Sequence, residues 1–404
     1  MVARRRTNRL DLILPGILVA ATGVGAGDLA TAGLAGAKLG VGVAWAVIFG
    51  AVLKWVLNEG LARWQMATGT TLLEGWIRRL RLQWVFLTYL VLWSFVVGGA
   101  LINASGVAAS ALFPLTDDPD ISKRIWGITH SLAGVVLVFL GGFKLFEKMM
   151  AVFIGVMFVS VTYCAVRIAP TLDLSNMAFV NPFQLDPDQR QWVLALIGGV
   201  GGTLTLLSYG YWIRERNRAG SAGMRLCRID LSIGYAMTTL FGVAMLVIAA
   251  ATPEIVGKGA SLIALLGDKL GDTMGVGFRY VFLLGAWGAI FSSLLGVWQS
   301  VPYMFADFLS ETRWIDASRR TSLDHAGSRP YNWFLLYLAL PPIITLWMSF
   351  VQIQLIYAVL GAFFMPLLAV TLLIMNNRRD WVAAEFRNGI LVNIFLVMTL
   401  AFFA

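Results

Sequence analysis

Apolar runs of about 20 residues, the length at which a helix crosses a bilayer core, recur along the whole chain and are separated by short charged segments. They fall near 13–38, 41–66, 83–113, 124–141, 146–168, 189–213, 229–251, 273–303, 332–350, 354–376 and 387–404, which predicts eleven spans. A single run of that length satisfies its own backbone in lipid only as a helix, and ten-residue alternating strands are absent. The expected architecture is therefore an all-α bundle and not a barrel. The stretch 259–267 is too short to span and reads as an outer surface helix. The longest inner connection, 310–330, carries no pattern of a folded module.

Composition sharpens this picture. Of 404 residues, 58% are apolar and 13% charged, against roughly 25% charged in a soluble domain, and the mean hydropathy is +0.76. Soluble enzymes, secreted disulfide scaffolds and disordered tails are excluded. The net charge of +9 then reports orientation, because Lys and Arg collect in cytoplasmic loops. Basic segments are the N-terminus, Arg78 with Arg79 and Arg81, Lys144 with Lys148, Arg214 through Arg228, Arg313 through Arg329, and Arg378 with Arg379 and Arg387. Acidic ones fall between them: Asp117, Asp118 and Asp120, then Asp173 with Asp186 and Asp188, then the mixed stretch Glu254 to Asp272. The two sets alternate along the chain, which implies a multi-pass protein of the cell membrane with its N-terminus inside and its C-terminus outside. Arg4, Arg5 and Arg6 before Leu12–Ala21 imitate a signal peptide, but the spans that follow make this the first span. Cys164 lies in an apolar run and Cys227 in a basic loop, so neither a disulfide nor a metal cluster is expected.

Two spans carry interruptions. The first contains Thr22-Gly23-Val24-Gly25-Ala26-Gly27-Asp28, and the sixth contains Gly198-Gly199-Val200-Gly201-Gly202-Thr203 followed by Leu204 to Tyr211. Glycine costs helix stability and permits unusual backbone angles, so both read as broken helices. Breaks at spans one and six, five apart, are what an inverted five-helix repeat produces, with substrate held where the unwound backbones meet. The chain 1–404 is then a single transporter domain, with 1–168 and 189–376 as repeats and 387–404 as an added helix. No ATP-binding, redox or light-absorbing cofactor motif occurs, so a secondary transporter is expected rather than an enzyme, with no cofactor. Its partners are the lipid bilayer and a small ion or solute, and not nucleic acid. A non-transporting sensor would need an output domain, and no such domain is visible.

The run from Pro15-Gly16 to Trp45, with Ala30-Thr31, Ala35-Gly36 and Gly40, resembles the NRAMP (natural resistance-associated macrophage protein) family of metal-ion transporters. Leu61-Ala62-Arg63, Ala67-Thr68-Gly69, Ser292-Ser293, Gly296, Gln299 and Pro366 extend the resemblance over most of the chain. It implies a LeuT-like fold of the APC superfamily. The family's first-span motif Asp-Pro-Gly-Asn falls on Gly25-Ala26-Gly27-Asp28, and its Met-Pro-His falls on Thr205-Leu206-Leu207. The metal-binding Asp is thus Gly25 here, a carboxylate stands three residues later at Asp28, and the soft thioether is lost. The resemblance implies a substrate site at Gly25, Ala26, Asp28, Thr205, Ser208 and Gln299, with Asp28 and Thr205 as candidate metal ligands. Oxygen-only ligands favour a hard divalent cation such as Mg²⁺ or Mn²⁺. The family's proton-coupling groups are missing, since Trp93 to Ala104 has no acid and Gly198 to Tyr211 has no histidine. The two histidines, His130 and His325, read as packing and as loop.

Embedded charge opens a rival reading. Lys54 sits mid-span, where a charge costs about 2.5–3.5 kcal/mol on insertion scales. Glu59 lies roughly 140° further around the helix and faces Arg63 at i+4 instead, which leaves Asp28 as the candidate partner of Lys54. Either Asp28 binds a cation, or the site carries an organic solute that meets Lys54 and aromatics such as Trp93, Tyr209, Tyr211, Trp287 and Trp298. Asp307 and Arg279, near the ends of the eighth span, are expected to snorkel. Arg214-Glu215-Arg216 reads as an interface anchor or an inner gate.

Overall fold

Glycine splits the first span where the sequence places the break. Helix α1 (Arg9–Gly23) stops at Val24 and Gly25, and α2 (Ala26–Leu39) begins at once. The computed structural model describes residues 9–172, 179–181, 183–199, 201–252, 262–312 and 327–403. The expectations for His325, Asp173, Val200, Glu254 and most of 310–330 lie outside the described residues. Helix α3 (Ala44–Thr68) follows, then the short α4 (Leu72–Gly75), α5 (Gln83–Leu112) and α6 (Pro119–Ile168). The second interruption separates α7 (Pro187–Gly199) from a 3-10 turn (Leu204–Leu207) and α8 (Ser208–Glu215). Then come α9 (Gly220–Ala250), α10 (Leu262–Met274), α11 (Val276–Glu311), α12 (Arg329–Ala339), α13 (Phe350–Ala362), α14 (Phe364–Met375) and α15 (Ile390–Phe403). No strand occurs among the described residues.

Several boundaries differ from the hydropathy pattern. The expected spans 124–141 and 146–168 correspond to two apolar stretches, Pro119–Leu140 and Lys148–Thr171, but they lie on one helix, α6, whose 50 residues run on through Gly141 and Gly142. The basic loop ending at Arg228 is helical from Gly220, so Cys227 is buried on a helix, and both cysteines are free thiols. Pro341 and Pro342 end α12 early, because proline lacks the donor that a continued α-helix needs; a 3-10 turn (Pro341–Trp347) carries the chain on. Among the described residues, eight stretches are long and apolar enough to cross a membrane, fewer than the eleven expected. The run 26–68 counts as one stretch there, and α12 and α15, with 11 and 14 residues, fall short individually. Together α12 and its 3-10 extension reach about 30 Å, the thickness of a bilayer core. The expected surface helix appears as the amphipathic α10.

Two helices organise the interior. Helix α9 packs against α1, α2 and α3, and α11 runs along α6, α5 and α1. The α1–α9 crossing is backbone to backbone. A Cβ on Gly16 would lie 1.9 Å from the Asp230 carbonyl oxygen, and one on Gly234 would lie 2.4 Å from the Gly16 oxygen. Close approach of this kind is how small residues let membrane helices associate. Gly16→Val is expected to force the pair apart at a cost of about 1–3 kcal/mol, the usual range for overpacking. A lower midpoint and a broadened size-exclusion peak in detergent would register it, and an unchanged thermal midpoint would contradict the crossing.

Candidate substrate site at the two helix breaks

A broken helix frees backbone groups that the bilayer interior cannot hydrate, and the site is built from the side chains that satisfy them. Asp28 lies in the first turn of α2. Its Oδ2 accepts from the Gly25 N–H at 3.1 Å, and its Oδ1 accepts from the Gly201 N–H at 3.0 Å. One carboxylate therefore joins both interruptions. A negative charge is favourable at this position because the N-terminal end of a helix is its positive pole. The breaks also touch directly, since a Cβ on Gly23 would stand 2.7 Å from the Gly201 carbonyl carbon. Gly201 and Gly202 have φ of +79° and +84°, a region that side-chain-bearing residues rarely enter.

The freed carbonyls are capped as well. At the end of α1, Ser292 Oγ donates to the Ala21 oxygen (3.2 Å) and Ser293 Oγ to the Thr22 oxygen (2.9 Å), both from α11. At the end of α7, the Lys54 ammonium donates to the Gly198 oxygen at 2.7 Å. Lys54 and Asp28 are each 1% exposed and interact electrostatically. The pairing expected from sequence is thus present as a charge interaction at the breaks, with α3 supplying the cation.

The expected site residues divide into groups. Gly25, Ala26 and Asp28 are contiguous and buried at the first break. Thr205 and Ser208 are buried beside the second, with Thr205 Oγ1 turned to Gly202. Asp28 and Thr205 form no hydrogen bond to each other among the described residues. The Ser208 hydroxyl has no partner there. Gln299 lies apart, half-buried on α11, where its backbone oxygen accepts from Tyr331 at 3.4 Å. Glu59 pairs with Arg63 as expected and also with Arg228 on α9 at 2.9 Å. Sequence reading did not single out Thr203, which accepts from the Trp93 indole at 3.0 Å, or Tyr357, whose ring edge abuts Gly27. A Thr203 hydroxyl next to a glycine run was the available signal.

The basic end of the bundle is closed by charge. Asp307 was expected to snorkel but is 2% exposed: Tyr211 Oη donates to it at 2.8 Å and Arg214 lies at 3.8 Å. Arg214 also pairs with Glu74, while Arg78 makes two hydrogen bonds to Glu311 at 2.7 and 2.8 Å. Burial pushes the Glu74 carboxyl above its usual range, against the opposing pull of Arg214. On the neighbouring face, Tyr209 Oη and Arg218 both donate to Asp230 of α9. Arg279 pairs with Asp268 at the surface. His130 is a packing residue. Its Nε2 accepts from the Trp287 indole at 2.9 Å and its Nδ1 faces the Trp126 oxygen at 2.8 Å.

Residues 16–404 match the model of the family described as natural resistance-associated macrophage protein-like, and the chain belongs to that family. Among curated protein sequences, none matches it. The manganese transporter of Eremococcus coleocola, solved with an aromatic bis-isothiourea substituted compound, aligns with a TM-score of 0.74 at 15% identity, over 100% of this chain and 87% of that one. MhsT in complex with L-phenylalanine aligns at 0.62 and 15% identity, over 98% and 99%. MHP1, a nucleobase-cation-symport-1 family transporter with bromovinylhydantoin bound, aligns at 0.63 and 13% identity, over 97% and 91%. The fold is thus the all-α LeuT-like one, and family membership makes the chain a multi-pass membrane transporter of a metal-ion-transporting family, not an enzyme.

Removing either charge leaves the other buried without its counterpart, which typically costs about 3–5 kcal/mol. Asp28→Asn and Lys54→Met are each expected to lower stability by that order, and the double variant by clearly less than the sum. Thermal unfolding of the four proteins in one detergent closes the cycle, and strict additivity would show that the two residues do not act as a pair.

Proposed function

We propose that the chain is a secondary transporter that carries a hard divalent cation, Mg²⁺ or Mn²⁺, by alternating access. The observation that carries this reading is Asp28, the carboxylate shared by both helix breaks. A carboxylate offers about four lone-pair sites, and the two backbone amides use one on each oxygen, so a ligand position remains on each. The neighbouring Thr205 and Ser208 hydroxyls and unwound carbonyls are hard oxygen donors, and the described residues hold no cluster of three His, Cys, Asp or Glu side chains. Such a site suits a cation that keeps part of its water and takes few protein ligands. One repeat, 1–168, would rock against the other, 189–376, around this point. With the N-terminus inside, the Tyr211–Asp307–Arg214–Glu74 network would hold the cytoplasmic side shut.

Lys54 supports a second reading. With an ammonium already on the Gly198 oxygen, the site balances its charge without a metal, and the cargo would be a small organic solute whose carboxylate meets Lys54.

Calorimetric titration of the purified protein with Mg²⁺, Mn²⁺ and Ca²⁺, followed by uptake into proteoliposomes, separates the readings. Cation cargo predicts saturable binding and uptake that Asp28→Ala abolishes, with Lys54→Met binding at least as tightly as the parent. Absence of binding by a well-folded sample, or uptake that survives Asp28→Ala, rejects the cation reading. Loss of organic-solute uptake in Lys54→Met would establish the other.

A further inference from the structure

We propose that Lys54 is the counter-cation of the empty carrier: its ammonium stands in for the cargo when no metal is bound, which lets the unloaded protein make the return half of the transport cycle. This inference rests on the cation reading above.

The geometry gives the ammonium the position of a bound cation. It touches the carbonyl oxygen of Gly198 at the end of α7, the negative pole of that half-helix, and its charge acts on the carboxylate that ties the two breaks. Without it, the unloaded site would present a bare carboxylate in a dehydrated interior, and burial of an uncompensated charge is strongly unfavourable. The unloaded carrier would then be held in whichever state lets water reach Asp28.

A cargo cation and the ammonium cannot share this place, because like charges in a low-dielectric site repel strongly. The lysine must therefore have somewhere to withdraw. Its four-carbon stem is flexible and passes the second break, with Cδ lying 3.7 Å from where a Cβ on Gly201 would be. One turn along α3, on the same face, Asn58 is fully buried, with its Nδ2 donating to Tyr235 Oη at 2.9 Å. Its Oδ1 has no hydrogen-bond partner among the described residues. A buried acceptor left unmade costs about 1–3 kcal/mol, and an ammonium arriving from the i−4 position would satisfy it. The structure assigns Asn58 Oδ1 as the acceptor that receives Lys54 when cargo enters.

The test compares two modes of Mn²⁺ movement in proteoliposomes. Net uptake into metal-free vesicles requires the empty carrier to return, whereas exchange against internal Mn²⁺ uses only loaded steps. Lys54→Met is expected to lose net uptake by about tenfold or more while losing far less exchange, and Lys54→Arg, which keeps the charge, should restore net uptake. Asn58→Leu gives the opposite split, with exchange and Mn²⁺ affinity falling more than the return step. That variant carries the test if Lys54→Met does not fold. An equal loss of both modes in Lys54→Met, or of both in Asn58→Leu, overturns the inference and leaves the cation reading standing. If the parent protein moves Mn²⁺ in neither mode, the cation reading fails and this inference fails with it.

Discussion

The hydrogen bonds from Gly25 and Gly201 to the Asp28 carboxylate are the constraint on which the rest of the molecule depends. A bilayer-spanning helix can be interrupted only if the freed amides and carbonyls find partners inside the protein. Among the described residues, the caps come from another part of the chain or from the carboxylate itself. Asp28 takes amides from both breaks, Ser292 and Ser293 take the carbonyls that end α1, and Lys54 takes one that ends α7. The two interruptions are thereby fixed at one depth and in contact, which defines a site before any cargo is considered.

Charge in this protein is placed where it joins helices. Along the short α8, Tyr209 reaches Asp230 on α9, Tyr211 reaches Asp307 on α11, and Arg214 reaches Glu74 on α4. The C-terminal half of the second broken helix is therefore tied to three other elements by polar contacts in a largely apolar setting. Such contacts are directional and exchangeable, unlike the glycine-to-backbone crossings of α1 on α9, which admit no alternative packing. A carrier that changes access needs both kinds, one set to hold and one set that can be remade.

The residues at the breaks acquire a physical sense together. Gly25 carries no side chain, so the anion at the first break comes from Asp28 in the following turn. Asp28 in turn would leave an unbalanced charge inside the bundle, and Lys54 supplies its counterpart. Neither Asp28 nor Lys54 is readily tolerated alone, because each would leave a buried charge that the other balances.

What the sequence by itself determined was local or periodic. Apolar run lengths required a helical bundle, glycine clusters located both breaks to within two or three residues, and the i+4 spacing paired Glu59 with Arg63. Span boundaries were less legible in the continuous α6, where the Gly141-Gly142 pair does not end the helix, because hydropathy marks where a chain is apolar and not where its helix ends. The partners of the embedded polar groups were decided by tertiary structure alone. Lys54 meets Gly198 across 144 residues and Asp28 meets Gly201 across 173, and Asp307, which reads as a terminal snorkelling residue, is buried against Tyr211. Hydrogen bonds and charges act over a few ångströms in space, so a linear pattern can show that a buried lysine needs a partner, but only the packing of α3 against α7 and of the two breaks against each other selects which partner it receives.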